Sequence, residues 1–278
     1  MKLKLIILLG CSALLLNAQT IKVEGKFRDL SAQGFAVYKD KGYLLSESGL
    51  CRVINLKENR IVGDFYLASS SSNNHANCAS FGVEKSVGSK QPVMYVSECR
   101  GPYRCFVEHL SDSNSVLLQT IQATREGKPE IVHDWVVDKK RKYLYGIRTT
   151  LTKVDSLGNC INTIIKYRLP HLSEGKVVVL TDKDKIDEFN VYFVNVLQGA
   201  IIKGKRLFLP VGDMKYGEKE KPRNRRLLLI VDLKKKKIIK KIDINNITNN
   251  EPEDCDFYKG KLFLYCGQSG GLYEIPTK

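Results

Sequence analysis

The sequence holds one tryptophan and four histidines, and no two of its cysteines are spaced as CxxC. That spacing is the usual core of a small zinc site or a thioredoxin-like redox centre. Neither is expected, and the reading assigns no metal and no cofactor. Beyond the first eighteen residues no segment reaches the ~18 consecutive apolar residues that a bilayer span requires, so no transmembrane segment is expected. Acidic residues are short as well: 30 Asp and Glu stand against 45 Lys and Arg, a net charge of +15. Much of the surplus lies in Glu218–Arg226 and Lys234–Lys241. No aromatic residue interleaves these runs, so the stacking platform that single-stranded nucleic acid needs is lacking there. Nucleic acid is therefore not an expected partner. Lysine-rich outer strands that discourage edge pairing account for the charge more simply.

The amino terminus carries Lys2 and Lys4, an apolar stretch from Leu5 to Leu16, and then Asn17-Ala18. This pattern reads as a cleaved secretory signal over residues 1–18, with Gln19 as the first mature residue. The chain is then extracytoplasmic, periplasmic or secreted. A lipoprotein reading through Cys11 leaves the apolar Ser12–Leu16 exposed after the anchor and is less favoured. Residues 19–278 remain as a single domain. Outside the signal there are seven cysteines, and an exported chain can oxidise them. Cys99 and Cys105 flank a Gly-Pro turn, and Cys255 and Cys266 flank Lys259-Gly260. Both pairs are candidate disulfides.

Helical periodicity is nearly absent from the rest of the chain. Apolar residues fall in short runs rich in Val, Ile, Leu, Tyr and Phe, cut by Gly, Asn, Asp and Lys turns, which is the strand pattern. A phrase recurs: a polar start, an apolar run, a lysine turn and a second run. It begins at Gln33, Asn77, His133, Gln198 and Asp254, giving spacings of 44, 56, 65 and 56 residues. Each copy is followed by two more candidate strands, for example Ile161–Leu169 and Lys176–Asp182 in the third. The last copy has only Gly271–Ile275 and lacks one strand. Ile21–Phe27 has no hairpin partner of its own and would supply it. Four-stranded units repeated around an axis are the β-propeller architecture. The fold class expected is all-β, a five-bladed propeller closed by an N-terminal strand. Asp182–Val196 leaves a sixth blade open, and an irregular β-sandwich is the alternative.

In a propeller the first strand of each blade lines the axis, so the polar starts converge there. They are Gln33-Gly34, Asn77-Cys78, His133-Asp134, Gln198-Gly199 and Asp254-Cys255. Glycine beside a crowded axis allows a ligand or a neighbouring backbone to approach. These residues, with Trp135 beside Asp134, are the candidate binding set for a small polar ligand, a glycan or a peptide in the central funnel of a monomer. Adjacent strand residues point to opposite faces, so His133 and Asp134 share the axis only if the strand bulges.

The first unit, Ala32 to Phe65, resembles the opening blade of the plant and bacterial type of glutaminyl-peptide cyclotransferases. Gln33-Gly34 matches that family's Thr-Gln-Gly start, with Ala32 at the threonine. Glu47-Ser48-Gly49-Leu50 matches its Glu-Ser-Thr-Gly motif with one residue deleted. The resemblance implies five blades, with Glu47 as general acid and base and Gln33 orienting the substrate. Such chemistry needs a carboxyl group whose pKa is raised by a dry pocket.

Overall fold

The computed structural model describes residues 20–22, 32–72, 74–154, 159–194, 197–212, 226–248, 250–267 and 271–277. The expected signal segment, Cys11 and the Glu218–Arg225 part of the first basic run lie outside these residues, as do residues 23–27 of the expected closing strand.

Strand β1 (Thr20–Lys22) comes first. Blade 1 contains β2 (Ala32–Tyr38), β3 (Lys41–Ser46), β4 (Leu50–Asn55) and β5 (Arg60–Tyr66). Blade 2 contains β6 (Ala76–Phe81), β7 (Met94–Glu98), β8 (Cys105–Leu110) and β9 (Ser115–Arg125), with the short β10 (Lys128–Pro129) at its edge. Blade 3 begins with β11 (Asp134–Asp138), β12 (Tyr143–Lys153) and β13 (Asn159–Arg168). The chain then forms β14 (Val177–Leu180) and returns as β15 (Lys185–Val194), the outer strand of blade 3. Blade 4 contains β16 (Ile201–Lys203), β17 (Arg206–Val211), β18 (Leu227–Asp232) and β19 (Lys237–Asp243). Blade 5 contains β20 (Pro252–Tyr258), β21 (Lys261–Cys266) and β22 (Gly271–Ile275).

These five antiparallel sheets make a five-bladed β-propeller. The closing strand is where the sequence places it: β1 runs antiparallel to β22, with Ile21 opposite Leu272. Two expectations need correction. No sixth blade forms from Asp182–Val196, because its ten-residue β15 matches the ten residues of β13 and pairs along them from Asn159↔Val194 to Tyr167↔Lys185. The Lys176–Asp182 run is not the outer strand of blade 3 either. Its Val177–Leu180 part leaves that blade and lies parallel on β9 of blade 2.

The inner strands read as continuous apolar runs because both faces of each sheet are covered by a neighbouring blade. All six residues of β6 and all five of β11 are buried, whereas β19 on the rim is mostly exposed. The core is consequently divided into five layers, one at each junction. Tyr43, Phe81 and Met94 fill the junction of blades 1 and 2; Val107, Trp135 and Tyr167 that of blades 2 and 3. Ile164 and Leu209 fill the third junction, Phe208 and Leu264 the fourth, and Phe35, Leu44 and Tyr265 the last, between blades 5 and 1. The fifth layer makes the ring continuous.

Topology fixes two faces. Within each blade the first and third connections emerge on one face, here called the turn face. The second connection and the link to the next blade emerge on the other, the entry face.

Candidate functional site

An inner strand has no sheet neighbour toward the axis, so half of its N–H groups need other acceptors. Side chains from the adjoining blades supply them. Asp254 Oδ2 accepts the N–H of Phe35 at 2.8 Å and that of Ala79 at 2.9 Å, joining blades 5, 1 and 2 through one carboxylate. Its Oδ1 accepts the N–H of Cys255 at 2.8 Å. Two residues on, Asp256 Oδ2 accepts the N–H of Val37 at 2.7 Å. Ser97 Oγ accepts from Trp135 N at 2.7 Å, linking blades 2 and 3. Cys78 Sγ accepts from Ala200 N at 3.3 Å, linking blades 2 and 4.

The axis between these groups is tightly filled. A Cβ on Gly199 would collide with the Asp254 carboxylate, and one on Gly34 would come within 2.7 Å of Ala76 O. Both glycines therefore serve close backbone approach. The pairing registers of β2, β6 and β20 shift at Ala32/Phe35, Ala76/Ala79 and Pro252/Asp254. These irregularities turn the polar starts toward the axis.

Asn77 and Asp134 meet directly, with Asn77 Nδ2 donating to Asp134 Oδ1 at 2.8 Å. Asp134 is completely buried. Burial pushes its carboxyl up to about 8, with the Asn77 donor opposing the shift. Burial also raises Asp254 well above the usual carboxylate range, against the pull of its three backbone donors. Asp134 Oδ2 and Gln33 Oε1 are buried polar atoms with no hydrogen-bond partner among the described residues. Gln198 sits farther round the ring and donates to Glu251 Oε1 at 2.8 Å.

Alternation along β11 separates the third polar start. Asp134 faces inward to Asn77, while Trp135 packs into the layer between blades 2 and 3, its ring 5.8 Å from that of Tyr167. The Trp135 Nε1 donates to Tyr103 O at 3.1 Å. His133 is partly buried and held by Thr149 N, which donates to its Nδ1 at 3.2 Å. Burial lowers its pKa. The structure thus brings Gly34, Asn77, Asp134, Gly199 and Asp254 to the axis and puts the Trp135 side chain in the core.

Glu47 lies on the entry face in the link between β3 and β4. Its Oε1 is 3.0 Å from His75 Nδ1 and 2.5 Å from Arg100 Nη1. The Glu47 side chain is 15% exposed. Burial holds the His75 pKa down; its hydrogen bond to the Glu47 carboxylate raises it and the Arg100 charge lowers it. Arg100 and Tyr103 belong to one connection, residues 99–104, between β7 and β8. That connection is pinned to blade 1 through Glu47 and to blade 3 through the Trp135 indole. It forms a strap over three blades, and Tyr103 also meets the His133 ring edge-on at 5.3 Å. Sequence reasoning missed Arg100 because a lone arginine in a Gly-Pro turn carries no motif.

All seven cysteines from Cys51 to Cys266 are free. The two expected disulfides fail on register: Cys105 faces Ser97, not Cys99, and Cys255 faces Leu264 while Cys266 faces Pro252. Cys78 and Cys255 are instead buried near the axis, where burial raises their thiol pKa well above normal. Among the described residues no group of three or more His, Cys, Asp and Glu is placed to hold a metal ion. No helix among them is long and apolar enough to cross a membrane.

No family model matches the chain, and no curated protein is similar to it. Solved structures with a similar chain trace include hydrazine synthase of Kuenenia stuttgartiensis, 12% identical with a TM-score of 0.43 over 84% of this chain. The chain spans 61% of the length of that protein. Another is the β-propeller domain of Cps50 (Swd1) from Myceliophteria thermophila, 8% identical with a TM-score of 0.43, covering 89% of this chain and 84% of the other. Neither likeness bears on what this chain binds. Its class, a five-bladed β-propeller, rests on its own sheets and the closure of β1 on β22.

Proposed function

We propose that this is an exported, monomeric binding protein that takes a small polar ligand, or the polar end of a glycan or peptide, at the axial mouth of its entry face. One observation carries the reading: Gln33 Oε1 and Asp134 Oδ2 are buried polar atoms without hydrogen-bond partners among the described residues. Leaving such an atom unpaired costs on the order of 1–3 kcal/mol, and a ligand offering one donor and one acceptor would remove that cost. A primary amide end suits the pair: its N–H donates to Gln33 Oε1 and its carbonyl accepts from Asp134, which is protonated below about pH 8 and has Oδ1 taken by Asn77. Residues 99–104 act as the gate, since they span the blades around the mouth. Binding is tested by titrating amino-acid amides, short peptides and neutral oligosaccharides while following Trp135 fluorescence. A ligand bound by the wild type and bound equally well by Asp134→Asn and Gln33→Ala would refute the site.

A second reading rests on Glu47, which lies at the same mouth within reach of His75 and Arg100. It is a cyclotransferase-like enzyme in which Glu47 moves the proton while an N-terminal glutamine closes on itself and releases ammonia. Incubation with a peptide bearing N-terminal glutamine decides this. Ammonia release lost in Glu47→Gln would establish the enzyme; no release from the wild type would leave the binding protein.

A further inference from the structure

The repeated phrase also places a basic turn in every blade, and the topology gathers all five on the turn face. They are Lys39-Asp40, residues 82–93 with Lys90, the all-basic 139–142, Gly204-Lys205 and Lys259-Gly260. Only Asp40 and Glu84 are acidic in these turns, and the short third connections on the same face add Glu58 and Asp112 beside Lys57 and Lys234–Lys236. Lys39, Lys90, Lys140 and Lys205 are exposed and have no ion-pair partner among the described residues. Folding alone does not favour these lysines. Lys39, Lys142 and Lys259 sit at φ of 55°, 57° and 47°, a left-handed region where glycine or asparagine is the easier residue. A charged side chain kept at three strained turns points to a use for the charge.

Two hollows open between these turns. One of about 360 Å³ is lined by Tyr38, Lys39, Lys41 and Lys90, between blades 1 and 2. The other, about 570 Å³, is lined by Lys203, Lys205, Arg206 and Phe257, between blades 4 and 5. Each combines cations and an aromatic wall with one carboxylate, Asp40 in the first and Asp232 in the second, and Lys41 of the first is ion-paired with Asp112. Val87, at the tip of the longest of the five turns, is fully exposed with Lys90 close by in the chain.

From this arrangement we infer that the turn face docks on a bilayer surface of phosphate-bearing anionic lipids. Cations set around an axis in five directions match a two-dimensional array of anions, whereas a linear polyanion would call for one charged groove. Basic residues near an anionic leaflet are attracted electrostatically and an apolar tip adds insertion. Lys39, Lys140 and Lys205 supply the charge, the two hollows seat headgroup phosphates, and Val87 enters the interface.

Flotation of the full chain with phosphatidylcholine vesicles, with and without phosphatidylglycerol, tests this. Binding is expected only with the anionic lipid and should fall as salt is raised. The pair Lys140→Glu/Lys205→Glu should cut the bound fraction about tenfold, and Val87→Asp several-fold, by removing surface contacts. The pair Lys240→Glu/Lys241→Glu makes the same charge change on the rim strand β19, away from its turn-face end, and should alter binding less than about twofold. Equal binding to neutral vesicles, an equal loss in both pairs, or binding to soluble dextran sulfate with none to vesicles would overturn the proposal. Circular dichroism of each variant confirms that it folds.

Discussion

Asp254 Oδ2 lies 2.8 Å from the backbone nitrogen of Phe35, 219 residues earlier in the chain. This contact joins the last blade to the first at the axis, complementing the β1–β22 pairing at the rim. The ring is thus fastened at both its inner and outer edges.

Asp254→Ala strips three buried N–H groups of their acceptor. A loss on the order of 3 kcal/mol or more is expected from unpaired buried donors. Urea denaturation should show a lower midpoint, and a midpoint unchanged from wild type would contradict the role given to this carboxylate.

Gly199→Ala should destabilise the chain by at least ~2 kcal/mol, through overpacking rather than through lost hydrogen bonds. The added methyl collides with Asp254. The double variant Gly199→Ala/Asp254→Ala should therefore be less unstable than the sum of the two singles, a coupling that a double-mutant cycle measures.

Stability should fall as pH rises. Asp134 titrates at about 8 in the fold and near ~3.9 when unfolded. A raised acid favours the protonated native state, so its stabilising contribution is complete below pH ~4 and is lost as pH climbs through about 8. Asp256 is raised as well and acts in the same direction. Comparing wild type with Asp134→Asn by urea unfolding at several pH values isolates the Asp134 share. Identical slopes in the two proteins would show that this carboxyl does not carry it.

His75 reports on the strap. Removing the guanidinium in Arg100→Ala takes away one of the influences that depress its pKa, so its NMR titration midpoint should rise. Glu47→Gln removes an opposing influence and should lower it. Shifts of the same sign in both variants would contradict the Glu47-centred arrangement.

In the native protein six thiols should react very slowly with a thiol reagent, because Cys51, Cys78, Cys105, Cys160, Cys255 and Cys266 are buried, and the partly buried Cys99 should react first. After denaturation without reductant, all seven thiols outside the expected signal should react. Fewer than seven would indicate a disulfide.

The blades were readable from the sequence because a sheet covered on both faces turns its inner strands into unbroken apolar runs separated by turns. The phrase at Gln33, Asn77, His133, Gln198 and Asp254 gave the number of units for the same reason. The sequence puts Val177–Leu180 in the third unit, but the structure pairs it with β9 of the second. Its composition suits an outer strand anywhere, and its place on β9 depends on which free edge lies nearest in space. The polar starts were visible one by one, but the Asn77–Asp134 pair and the three-blade reach of Asp254 join residues 57 to 219 positions apart. Disulfide pairing misled because flanking a turn does not place two cysteines opposite each other; register decides that.

The detour of Val177–Leu180 onto β9 has a bearing on how the molecule comes apart. In a linear repeat array each unit touches only its neighbours and can open separately. Here part of the third unit's chain is knitted into the second, and its remaining strand returns only afterwards, so detaching either sheet must break hydrogen bonds in both. Hydrogen exchange across blades 2 and 3 should therefore report one shared opening event, and a protease cut between β13 and β15 should loosen two sheets together.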